Sequence, residues 1–104
     1  MGIAYQYMKA SLIRHVKGVD ELGNLIEVKM WEIAAPTVDR PWSYKYSLVY
    51  IVDGVRVIGY DNAEGRGDHR HYRDKERPYF FESLSQLITD FYEDIEKFKR
   101  GEEL

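Results

Sequence analysis

Two histidines, His69 and His71, stand two residues apart at the end of the stretch Asp61-Asn62-Ala63-Glu64-Gly65-Arg66-Gly67-Asp68-His69-Arg70-His71-Tyr72. On an extended strand, residues two apart point to the same face, so this spacing sets two imidazoles side by side. Histidine titrates near neutrality, and a pair suits either proton transfer or the start of a metal site. Metal-independent cleavage of RNA needs one group to take the 2′-hydroxyl proton, another to protonate the leaving oxygen, and cations to stabilise the charged phosphorane. His69 and His71 fit the first two roles, and Asp61 or Asp68 can orient one ring by accepting its second N–H. Arg66 and Arg70 supply the cations on this reading, while Gly65 and Gly67 let the backbone approach a phosphate closely. Tyr60 and Tyr72 offer rings on which bases stack.

Other chemistry fits the same residues. His69 and His71 with Asp61 as a third ligand make a partial metal site with open positions; acid–base cleavage needs no cofactor. On a purely structural reading, Asp61-Asn62 caps a turn and the histidines bond within their own loop. A protein-binding module is a further alternative, in which exposed aromatics and an acidic C-terminal helix engage a partner.

The elements that must position these groups are legible from patterning. Residues 4–60 read as strands. Met8, Ala10, Leu12 and Val16 alternate, the turn signal Glu21-Leu22-Gly23-Asn24 follows, and Ile26, Val28 and Met30 then share one face while Glu27, Lys29 and Trp31 share the other. Pro36 and Pro41 bracket a loop. Tyr44 to Val52 alternates again, and Asp53-Gly54 joins it to Val55–Tyr60 by a two-residue hairpin turn. A short strand is expected near 69–73. Leu84, Leu87, Ile88, Phe91, Ile95 and Phe98 form a continuous stripe at helical spacing, which predicts a helix over about 84–99. Ser83 and Gln86 form a capping box, and Gly101 follows Lys99 and Arg100 at the far end.

The expected fold is therefore α+β: a mainly antiparallel sheet of about four to five strands closed by one C-terminal amphipathic helix, in a single domain over 1–104. The chain of 104 residues has room for one modest core. Its 44% hydrophobic and 32% charged residues are a globular balance. Nine Tyr against four Phe and two Trp favour half-buried strands and interfaces. The absence of cysteine excludes disulfides and thiolate metal sites. No signal peptide or membrane-length apolar run is seen, so the expected location is the cytoplasm, without membrane association. A net charge of −3 argues against a general nucleic-acid binder. Its distribution is uneven, however: residues 82–104 hold seven acids against three bases, and the rest of the chain holds twelve bases against eleven acids.

The order Glu27-Val28-Lys29-Met30-Trp31, Tyr44-Lys45-Tyr46-Ser47-Leu48, Tyr60-Asp61-Asn62 with Gly65-Arg66-Gly67-Asp68-His69-Arg70-His71, then Tyr79-Phe80-Phe81-Glu82-Ser83-Leu84 and Asp90-Phe91, resembles the TumE family of small prokaryotic toxins over nearly the whole chain. The resemblance implies the toxin of a two-gene toxin–antitoxin module, a helix-turn-helix antitoxin as partner, and action on RNA. Two positions depart from the family pattern: Arg66 stands where a lysine is usual, which keeps the charge, and no histidine lies near Ser43.

Overall fold

A computed structural model describes residues 10–33, 44–62 and 67–104. Six strands, β1 (Ser11–Val19), β2 (Leu25–Glu32), β3 (Tyr44–Val52), β4 (Val55–Asp61), β5 (His69–Tyr72) and β6 (Lys75–Pro78), pair in chain order as an antiparallel meander. One helix, α1 (Leu84–Lys99), follows. The α+β class is as expected, but the sheet has six strands rather than four or five. The extra one is β6. Its sequence Lys-Glu-Arg-Pro is exposed at every position, so it has no apolar alternation to betray it. A tight turn creates it, with Arg73 at φ 55°. The proline-bracketed loop and the first residues assigned to a strand, 4–9, lie outside the described residues.

Each turn is built as its residues dictate. Between β1 and β2, Asp20 Oδ1 accepts the backbone N–H groups of Leu22 and Asn24, both at 2.9 Å, and Gly23 takes φ 79°. At the β3–β4 hairpin, Asp53 and Gly54 take φ 51° and 77°, the left-handed pair that a two-residue turn requires.

Alternation sorts the sheet into two faces. Val28 and Met30 of β2, Tyr46, Leu48 and Tyr50 of β3, and Ile58 and Tyr60 of β4 are buried on one face, beneath Leu87, Phe91 and Ile95 of α1. Burial of each such side chain contributes about 1.5–3 kcal/mol. The stripe positions Leu84, Ile88 and Phe98 pack around this core. Ser83 caps α1 by accepting the N–H of Gln86 at 3.0 Å. The return half of the capping box is replaced: the Gln86 side chain donates instead to Asp90, at 2.8 Å. At the other end Gly101, at φ 75°, donates to the carbonyl of Phe98, and Glu102 donates to that of Lys97.

Candidate functional site

The face away from α1 carries the histidines. Strand register lines up His15, Lys29, Ser47, Asp61, His69 and Pro78 in one row across the sheet, and Lys17, Glu27, Val49, Gly59, His71 and Glu76 in the next. His69 and His71 are thus brought together as their spacing requires, with ring centroids 6.5 Å apart. His71 Nε2 lies 2.9 Å from Asp61 Oδ2, and its Nδ1 lies 3.5 Å from Glu76 Oε1. The other oxygen of Glu76 lies 3.6 Å from His69 Nε2. His69 Nδ1 lies 3.2 Å from the carbonyl of Gly67, which can only accept, so this nitrogen carries a proton. The result is two imidazoles bridged by one carboxylate, with a second carboxylate fixing the more buried ring. Side-chain exposure is 16% for His69 and 7% for His71.

The alternation that unites the histidines sends Arg70 to the opposite face. There its guanidinium binds Asp94 of α1 through two hydrogen bonds, at 3.0 and 2.6 Å, beneath the Tyr60 ring. Arg70 therefore holds the helix to β5 and does not share the imidazoles' surface. Tyr60 is also on the helix side: it is buried, donates its hydroxyl to Asp94, and meets the rings of Tyr79 and Phe91 edge-on. Burial, and then the bond to Asp94, push its hydroxyl pKa well up, so it remains a donor. Tyr72 packs against the core from the same side. Asp68 accepts the hydroxyl of Tyr46 at 2.6 Å rather than an imidazole N–H. Gly67 takes φ 71° as the chain enters β5. Gly65 and Arg66 lie outside the described residues.

Asn62 has a different role from the turn cap that the purely structural reading gives it. Fully buried, it accepts the N–H of Tyr46 and donates to the carbonyl of Tyr44, each at 2.9 Å, so its amide continues the β3–β4 ladder after the strand has ended. That clamp fixes the backbone next to Asp61. The segment Tyr60-Asp61-Asn62 thus divides its side chains between the core, the histidine and the neighbouring strand.

From the sequence, Glu76 counts only as a charge diluting the bases near the histidines, and Arg56 only as one of the bases that could form a positive patch for phosphate there. Glu76 sits on the unrecognised strand β6, opposite His71. Arg56 lies across Gly59: a Cβ built on that glycine would stand 3.0 Å from Arg56 Cδ and 3.6 Å from one terminal guanidinium nitrogen. Gly59 is the ladder partner of His71, and the side chains of such partners start about 4.5–5.5 Å apart. The glycine therefore opens a notch that seats a guanidinium beside the imidazole pair. Beyond it on the same face, Lys45 Nζ lies 5.5 Å from the centre of the Trp31 ring. Among the described residues, no group of three or more His, Asp or Glu has an arrangement able to hold a metal ion, and no helix is long and apolar enough to cross a membrane.

A comparison with family models matches residues 4–99 to the family described as Toxin TumE. No curated protein and no solved structure gives a significant match.

Proposed function

Because the chain belongs to the TumE toxin family, whose model spans nearly all of it, we propose that it is the toxin of a toxin–antitoxin module and that it cleaves RNA by acid–base catalysis at His69 and His71. The observation that carries this reading is the pair of imidazoles 6.5 Å apart on the sheet face opposite α1. With Nδ1 committed to Gly67, His69 exchanges its proton through Nε2 and acts as the base that takes the 2′-hydroxyl proton. The resulting 2′-oxygen attacks the phosphorus, the bond to the 5′-oxygen breaks, and that oxygen takes a proton from His71. In His71 the 2.9 Å bond to Asp61 fixes the ring through Nε2, and the looser contact at Nδ1 leaves that proton to be handed on. Glu76, between the rings, holds His69 Nε2 and His71 Nδ1 toward one another's side of the site. Arg56, seated over Gly59, supplies the cation for the phosphorane. The partner is the antitoxin that such a toxin requires, of the helix-turn-helix type, and the site of action is the cytoplasm.

Growth on controlled expression tests the reading. The unsubstituted chain should arrest growth; His69→Ala and His71→Ala should restore it at equal protein level, and His15→Ala, in the same row but on β1, should not. Toxicity that survives both substitutions would remove the pair from the mechanism.

A further inference from the structure

The two edges of the sheet are built very differently. β6 protects itself, since it is four residues long, charged at three positions and closed by Pro78. β1 does not. Among the described strands it pairs only with β2, and every one of its nine residues is exposed. Leu12, Ile13, Val16 and Val19 are 58%, 48%, 40% and 70% exposed. A long exposed edge that mixes apolar and basic side chains is a template for a complementary strand.

Charge selects the occupant. The sequence of β1, Ser-Leu-Ile-Arg-His-Val-Lys-Gly-Val, contains bases and no acid. A second copy paired antiparallel about the strand centre would set His15 against its own counterpart, Arg14 diagonal to Arg14 and Lys17 diagonal to His15 of the copy, and like charges facing one another across a sheet are destabilising. An acidic strand meets no such penalty: Glu27 is the one carboxylate facing His15 and Lys17 from β2, at 2.9 Å from His15 Nε2, and it leaves the bases in excess. The faces specify it further: His15 and Lys17 lie on the histidine face through their pairing with Lys29 and Glu27, whereas Val16 lies on the helix face beside Val28.

We propose that β1 is the docking edge for an extended segment of the antitoxin, which adds as a further strand with acidic residues on the histidine face and apolar residues beside Val16. The proposal takes from the preceding section only that the toxin has an antitoxin. It does not depend on the histidine chemistry. A strand seated there extends the sheet at the end of the row that leads through Lys29, Ser47 and Asp61 to His69, so that the antitoxin's remaining chain is delivered to the same surface.

The probe is a short peptide alternating Val and Glu, titrated into the full chain beside a counterpart alternating Val and Lys, with backbone amide exchange read residue by residue. The acidic peptide should slow exchange in Leu12 to Val19 and bind at least about tenfold more tightly than the basic one; His15→Glu combined with Lys17→Glu, both at exposed positions on the histidine face, should reverse that preference. Absence of protection in β1, or equal binding of the two peptides, overturns the proposal. So does a concentration-dependent dimer of the free chain that Val16→Lys dissolves, because a second copy would then be the occupant. RNA cleavage by the free chain is measured separately and stands or falls on its own.

Discussion

At the scale of single residues, the site is defined by which side of one strand each group occupies. His69 and His71 were recognisable because a spacing of two has one meaning on a strand. The same rule also placed Arg70 on the opposite face, and adjacency in sequence was the wrong guide to its role. Arg70→Gln should therefore act on stability, by roughly 1.5–3 kcal/mol for hydrogen bonds to a charged group, visible as a lower denaturation midpoint. Arg56→Gln should leave the midpoint close to wild type while weakening RNA binding. Gly59→Ala should have the same effect from the other side, since the added methyl meets the Arg56 side chain at 3.0 Å and displaces it from the notch. If RNA affinity is unchanged in both Arg56→Gln and Gly59→Ala, the guanidinium is not a phosphate ligand. No sequence pattern announced this pair. It depends on the irregular register between Tyr50 and Ile51, which leaves Val57 without a partner on β3 and sets Arg56 on the same face as Gly59.

Among the elements, α1 was readable to the residue because three independent signals agree: a stripe at helical period, a serine cap and a terminal glycine. Ser83→Ala should cost about 1 kcal/mol by loss of the cap. Phe91→Ala should cost roughly 3–5 kcal/mol, because that ring is fully buried against the sheet; thermal melts that place the two substitutions in the reverse order would contradict α1 as the lid of the core. β6 was unreadable for the opposite reason, since an edge strand of charges and proline carries only the signals of a loop. The turn between β1 and β2 brings an electrostatic consequence. Burial alone would raise the carboxyl of Asp20, but hydrogen bonds from Tyr50 and from the amides of Asn24 and Leu22, with Lys99 nearby, hold it below its ordinary 3.8. The stability it contributes is full above that value and is lost as pH falls through the folded value. Asp20→Asn should flatten the acid limb of a stability-against-pH curve, and an unaltered limb would show that this carboxylate does not contribute to acid unfolding.

Over the whole molecule, one sheet keeps two faces apart. The face under α1 holds the aromatic core and its internal bonds from Tyr46, Tyr60 and Tyr79 to Asp68, Asp94 and Asp90, while the opposite face carries the histidines, lysines and Trp31, with His71 itself buried. A net charge of −3 does not oppose RNA binding when seven of the acids belong to residues 82–104, the segment that includes α1. Binding through the face opposite α1 should weaken as salt rises, with a slope of about −0.7 per phosphate contact on single strands, and Arg56→Gln should remove roughly one contact from that slope while Arg70→Gln should not.

The central claim, catalysis by the imidazole pair, is tested most directly by incubating the purified chain with single-stranded RNA in excess chelator and following the new ends. Acid–base cleavage through the 2′-oxygen predicts fragments that carry a 2′,3′-cyclic phosphate and a free 5′-hydroxyl, formed undiminished in chelator, with His69→Ala and His71→Ala each slowing the reaction by about 10²–10⁴-fold. Intact RNA, cleavage abolished by the chelator, or cleavage unaffected by both substitutions would contradict it.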